Sequence, residues 1–141
     1  MSKHCPILLI DDDPDEYELM EEILRQQKIP NPLHYFPNGQ DAINYLRNTT
    51  DRPFLIICDI NMPVMNGIEV RKLVNADEYL RKKSIPFVFY TTTATESSIK
   101  DAYEMSVQGF FVKEHDIRRI GALVHAIYTY WYWCRHPNKH H

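Results

Sequence analysis

At 141 residues the chain has room for one domain with a sizeable core and too little for two ordinary ones. Hydrophobic residues at 44% and charged residues at 25% are ordinary globular proportions, which argues against disorder. A net charge of -3 with a pI near 6.1 leaves no electrostatic footprint for nucleic acid. No apolar run approaches the roughly 20 residues that span a bilayer and no signal peptide opens the chain, so the expected location is the cytoplasm, without a membrane or nucleic-acid partner. The three cysteines, Cys5, Cys58 and Cys134, are odd in number and far apart, which fits neither a disulfide framework nor a zinc site. His136, His140 and His141 close the chain and are assigned no function.

Ile7-Leu8-Leu9-Ile10 reads as a fully buried strand and ends in Asp11-Asp12-Asp13. Asp13-Pro14-Asp15-Glu16 then carries an N-cap, a proline at the first helical position and a glutamate three residues past the cap. With Tyr17, Met20, Ile23, Leu24 and Gln27 at helical spacing, the pattern predicts a first helix over about 14 to 28. Asp11, Asp13, Asp15 and Glu22 also fall at positions 1, 3, 5 and 12 of a calcium loop. That loop needs a glycine where Glu16 stands and a helix where this chain has a strand.

Pro30-Asn31-Pro32 breaks the chain, and Leu33 to Phe36 reads as a short strand at the sheet edge. Pro37-Asn38-Gly39 turns into a second helix through Ala42, Ile43 and Leu46, and a polar loop leads to a third strand, Phe54 to Asp59. Past Gly67, the residues Ile68, Leu73 and Val74 mark a third helix, extended by Tyr79-Leu80-Arg81-Lys82-Lys83 after a break near Asn75. A fourth strand, Phe87-Val88-Phe89-Tyr90, precedes a fourth helix opened by Thr95-Glu96 and bearing Ile99, Ala102 and Tyr103. Gly109 starts the fifth strand. From Ile117, the residues Ile120, Val124, Ile127, Tyr128 and Trp131 recur at helical spacing and are expected to pack on the sheet. Tyr130, Tyr132, Trp133 and Cys134 make the last turn aromatic nearly all round. Either Tyr130 or Trp133 meets another molecule there, or the turn folds back over the domain's own edge. Regular alternation of strand and helix predicts an α/β fold with a five-stranded parallel sheet, doubly wound and covered on both faces.

The chemistry gathers where the strands end. Ile56-Ile57-Cys58-Asp59 delivers one carboxylate to a loop containing Pro63 and Gly67. In a parallel sheet the carboxyl ends of the strands face a ligand crevice, and an aspartate there can act as a nucleophile that forms an aspartyl phosphate. Alone, Asp59 is as well explained as a turn initiator. The first strand, however, ends in Asp11-Asp12-Asp13, the fourth in Thr91-Thr92-Thr93, and Phe110-Phe111-Val112 in Lys113. Clustered carboxylates suit a hard cation such as Mg²⁺. A metal and a lysine are what phosphoryl transfer needs for charge neutralisation, and a threonine hydroxyl can donate to a phosphoryl oxygen.

Ile10-Asp11-Asp12, Asp59 followed by Met62-Pro63 and Gly67, Thr91 and Lys113 resemble the marks of the receiver domains of two-component response regulators. The resemblance runs from about residue 5 to about residue 130. It implies the CheY-like, flavodoxin-like fold with strand order 2-1-3-4-5, for which CheY is a standard example. It also implies a stand-alone receiver domain over residues 1–135 with a tail over residues 136–141. By the same resemblance Asp59 accepts a phosphoryl group from a histidine kinase or histidine phosphotransfer protein. Asp11, Asp12, Asp59 and the backbone carbonyl of Asn61 hold Mg²⁺, Thr91 is the switch hydroxyl and Lys113 the phosphate-binding cation. Phe110 falls where the family has an aromatic ring that swings inward on activation, and Asn61 and Thr93 fall where it tunes the lifetime of the phosphoryl group. No catalytic activity is expected beyond self-phosphotransfer and autodephosphorylation. Because only Arg135 to His141 follow the last helix, the expected output is contact with a downstream protein or a homodimer. The family pairs through its fourth helix, fifth strand and fifth helix.

Two departures stand out. Glu114 follows Lys113 where the family has a proline in a cis peptide bond, a geometry that costs several kcal/mol without proline. Thr92 occupies a position that is small in many members. Two other classes fit these residues less well. A haloacid-dehalogenase-like phosphatase also uses a strand-end aspartate, but it needs a second aspartate where Asn61 stands. A pseudo-receiver binding module would keep the fold and lack the chemistry, yet every position that the chemistry needs is filled.

Overall fold

Runs of four or five branched and aromatic residues are long enough to cross the core only as strands. In the computed structural model, which describes residues 5–135, five of them form one parallel sheet. The strands are β1 (Ile7–Ile10), β2 (Leu33–Phe36), β3 (Leu55–Cys58), β4 (Phe87–Thr91) and β5 (Gly109–Val112), in the order β2-β1-β3-β4-β5. β1, β3 and β4 are buried at every residue, whereas the edge strand β2 is half-buried throughout. Ile7 pairs with Leu33 and Leu55, and Ile10 with Phe36 and Cys58, so the ends of β1 and β3 are level.

Successive side chains of a strand point to opposite faces, and the core divides accordingly. Leu8, Ile10, Ile56, Cys58, Phe87 and Phe89 pack on one face with residues of α2 (Gly39–Asn48), α3 (Gly67–Ala76), α4 (Glu78–Lys82) and α5 (Glu96–Glu104). Ile7, Leu9, Ile57, Val88 and Tyr90 pack on the other with residues of α1 (Pro14–Gln26) and α6 (Ile117–Trp133). No described helix is long and apolar enough to cross a membrane.

The predicted boundaries shift in four places, one of them at β4, which runs on through Thr91. α1 stops at Gln26, two residues early, because Lys28 turns into the left-handed region at φ 57°. The break after α3 falls at Asp77, not Asn75. That residue caps both helices, its backbone N–H donating to Leu73 O while its side chain accepts from the Leu80 N–H. The short α4 makes the predicted fourth and fifth helices α5 and α6. β3 is Leu55–Cys58, leaving Phe54 and Asp59 just outside the strand. In α6, Ile120 and Val124 are buried, and Ile127, Tyr128 and Trp131 pack against them in part. Tyr130 and Trp133 stay 65% and 74% exposed, so neither is covered by the domain itself. The terminal histidines and the tail over residues 136–141 lie outside the described residues.

Candidate functional site

The parallel ladder assembles the site. The Asp59 N–H donates to Ile10 O at 2.9 Å, the Asp11 N–H to Phe36 O at 3.1 Å and the Lys113 N–H to Thr91 O at 2.8 Å. Each functional residue is therefore held by its backbone to the neighbouring strand. The loop after Asp59 returns tightly: the Gly67 N–H donates to Ile60 O at 2.9 Å. A Cβ on Gly67 would lie 2.2 Å from Asp59 O, so only glycine lets α3 begin against the loop after Asp59. Asn66 and Glu69 close a capping box there.

Of the predicted residues, Asp11, Asp12, Asp59, Asn61, Thr91 and Lys113 come together. The Lys113 Nζ donates to Asp11 Oδ2 at 2.7 Å and to Asp59 Oδ2 at 3.4 Å. Carboxylate oxygens of Asp11, Asp12 and Asp59 lie within 4.8 Å of one another. The Asn61 backbone N–H donates to Asp59 Oδ1, and its side-chain Nδ2 to Thr91 Oγ1, each at 3.3 Å. Asp11 and Thr91 are 1% and 0% exposed, Asp59 and Lys113 are also buried, and Asp12 faces solvent. Phe110 stands apart from the charges. It is half-buried in the core layer, with its ring edge-on to Phe89 at 6.2 Å. Thr92 and Thr93 are exposed at the rim.

Glu16 was legible only as a capping-box residue, and it is not one. The Asp13 side chain accepts from the Asp15 N–H, while the Glu16 carboxylate reaches towards Lys113, with Oε1 3.7 Å from its Nζ. Its neighbour Tyr90 places its ring centre 5.8 Å from the same amine. The Lys113–Glu114 peptide is trans, as are all those described, and Glu114 pairs with Arg119 at 3.0 Å. Lys113 reaches the acids without a proline after it.

Three carboxylates, those of Asp11, Asp59 and Glu16, thus surround one ammonium group, and the Asp12 carboxylate lies beside them. Burial raises the Asp11 pKa, with the Asp59 charge adding to it, and the bond from Lys113 only partly offsets them. Burial likewise raises Glu16, helped by Asp11, Asp13 and Asp59. Burial pulls Lys113 down, yet the Asp11 bond and the charges of Asp11, Asp59 and Glu16 outweigh it and leave the amine above the ordinary lysine value. The surplus is negative, and the ligand atoms are hard oxygens. Octahedral Mg²⁺ at about 2.1 Å spans oxygens up to roughly 4.2 Å apart. Small side-chain adjustments would bring the acids to that spacing, so the donor set fits such an ion.

A level set of strand ends carrying paired acids, a hydroxyl and a lysine defines a receiver domain. The chain matches the response regulator receiver domain family over residues 7–125 and belongs to it. Among its relatives, the response regulator Rcp1 of Synechocystis sp. is 28% identical over 130 residues, covering 89% of this chain and 87% of Rcp1. The chemotaxis protein CheY-3 of Vibrio cholerae is 31% identical, covering 80% and 83%. Among solved structures, the phosphorylated cyanobacterial phytochrome response regulator RcpA superposes with a TM-score of 0.81 at 27% identity, covering 92% of this chain and 95% of that one. The Mn²⁺-bound form of Rcp1 does so at 0.79 and 26%, covering 94% and 97%.

Proposed function

We propose that this chain, with a receiver domain over residues 1–135, is a phosphorylation-controlled switch of a two-component phosphorelay, acting in the cytoplasm. Asp59 takes the phosphoryl group of a phosphohistidine on a histidine kinase or histidine phosphotransfer protein. A carboxylate oxygen forms the new P–O bond while the P–N bond breaks and its electron pair leaves with the imidazole nitrogen. Asp11, Asp12, Asp59 and the Asn61 carbonyl would hold Mg²⁺, which when bound neutralises charge on the phosphoryl oxygens. Lys113 orients and pairs with the transferred group, as its position between Asp11 and Asp59 allows. Thr91 exchanges its contact with Asn61 for one to a phosphoryl oxygen, and Phe110 repacks beside it. Apart from this transfer and the later hydrolysis, in which water takes the phosphoryl group as inorganic phosphate and the Asp59 carboxylate is restored, the protein turns over no substrate. The observation that carries this reading is the buried amine of Lys113 shared by Asp11 and Asp59.

The output is protein contact. Ile99 and Tyr103 on α5, Val112 on β5 and Ile117 on α6 are exposed, and together they supply an apolar face for a downstream target or a second copy. Incubation with acetyl phosphate and Mg²⁺ is expected to add one phosphoryl group, and Asp59→Asn to abolish the addition with the fold intact. Labelling retained by Asp59→Asn would refute the assignment, and steady turnover of a phosphomonoester would point to a phosphatase. Beryllofluoride with Mg²⁺ is expected to change the size of the particle in solution if the output is self-association.

A further inference from the structure

A second charged cluster lies at the other end of the sheet. Arg71, on α3, is 7% exposed. Its Nε donates to Met105 O at 3.0 Å and its Nη2 to Ser106 O at 2.9 Å, and its guanidinium carbon is 5.1 Å from the Phe87 ring centre. These partners fix the guanidinium plane, but all of them are neutral. Among the described residues no carboxylate pairs with Arg71, and burial with no acid to offset it pulls its pKa down.

Arg71 lines a cavity of about 270 Å³ together with Val74, Asn75, Leu80, Arg81 and Trp131. Arg81, exposed at its edge, donates from Nη1 to Asn75 O at 3.2 Å. It too has no ion-pair partner among the described residues. A guanidinium has five N–H donors, and Arg71 commits two of them to the carbonyls, so donors remain. Positive charge without a counter-ion in a low-dielectric recess favours an anion, and guanidinium forks match carboxylates in geometry. The apolar wall formed by Val74, Leu80 and Trp131 favours a ligand with a hydrocarbon body over a bare inorganic anion. The volume lies just below the roughly 300–1,000 Å³ of pockets that hold drug-sized molecules, which limits the ligand to the size of a single ring.

We propose that the cavity bounded by α3, α4 and Trp131 is a binding site for a small organic carboxylate, with Arg71 and Arg81 holding the carboxylate and Val74, Leu80 and Trp131 the hydrocarbon body. The site is separate from the phosphoryl chemistry and stands whether or not Asp59 is an acceptor.

The test is titration of the full chain with benzoate, followed by the fluorescence of Trp131 and by the side-chain signals of the two arginines. Trp133 also fluoresces, so the titration is repeated in a Trp133→Phe background. Saturable binding in the millimolar range or tighter is expected, with benzamide binding at least about tenfold more weakly, the scale of one charge-assisted hydrogen bond. Arg81→Gln, at an exposed position, is expected to weaken benzoate by a similar factor. Arg71→Gln is expected to abolish binding, and the thermal transition of each variant shows whether it is folded. Equal binding of benzoate and benzamide, competition by inorganic phosphate at equal affinity, an unaffected Arg81→Gln, or no saturable binding would each overturn the proposal.

Discussion

Lys113 and Arg71 are both buried cations, at opposite ends of one sheet, and the difference lies in what surrounds them. Lys113 meets carboxylates of Asp11, Asp59 and Glu16. Arg71 meets the carbonyls of Met105 and Ser106 and the face of Phe87. At the first end three carboxylates face one ammonium group, which leaves a negative surplus. At the second the positive charge is tied to the end of α5 and faces a cavity. A buried charge among other charges makes a centre that responds to what binds; one held by main-chain carbonyls makes a clamp.

Lys113→Met should separate the two ends most sharply. Removing one partner of a buried pair costs roughly 3–5 kcal/mol. Chemical denaturation at neutral pH is expected to show that loss, with Mg²⁺ restoring part of it by taking the place of the amine. A loss under about 1 kcal/mol, the range of surface pairs, would mean that the acids relax into water. Arg71→Met comes next, at roughly 2 kcal/mol for the charge-assisted hydrogen bonds lost, because Asn75 Nδ2 and Gln108 Nε2 still donate to the two carbonyls. That loss is expected to be the same with and without Mg²⁺, and a Mg²⁺-dependent loss would erase the distinction between centre and clamp.

Val64 is fully exposed at φ 68° in the loop between Asp59 and α3. A left-handed backbone costs a non-glycine residue roughly 1–2 kcal/mol, partly offset by the entropy that glycine loses on folding. Val64→Gly is therefore expected to raise stability by about 1 kcal/mol in the same denaturation assay, and a fall in stability would show that the loop needs valine's restriction. The effect at Tyr90 is confined to alkaline pH. Burial, with a contribution from Glu16, pushes its hydroxyl up to about 12. A group with a raised folded pKa contributes stability that is complete below its unfolded pKa and is lost as pH rises through the folded one. Tyr90→Phe is expected to reduce the decline of stability between about pH 10 and pH 12. The decline that remains belongs in part to Lys113, whose amine is raised in the same direction. An unchanged alkaline slope in Tyr90→Phe would remove Tyr90 from that end's electrostatics.

The parallel sheet and the charge cluster were legible because both follow from local pattern. Short apolar runs terminate in Asp11, Asp59, Thr91 and Lys113, and parallel pairing makes those termini neighbours. Glu16 was misread because its spacing from Asp13 satisfies a capping rule. Its actual partner, Lys113, enters from the far end of the chain. Arg71 went unremarked because an arginine beside Val70 in a helix reads as a solvent-facing residue. Its place one helical turn before Val74, inside the apolar stripe, was the available signal. The α3–α4 break moved to Asp77 because capping by a side chain prevails over the decline in hydrophobic pattern at Asn75.

The bare contact at Gly67 has a mechanical reading. With no side chain between the start of α3 and the main chain of Asp59, a displacement of that strand end has nothing compressible to absorb it. One turn further along α3, Arg71 grips the last carbonyls around Met105 and Ser106. The first turn of α3 is thus pinned at Gly67 and at Arg71, joining the main chain of Asp59 to the end of α5 by a route that bypasses the Thr91 hydroxyl.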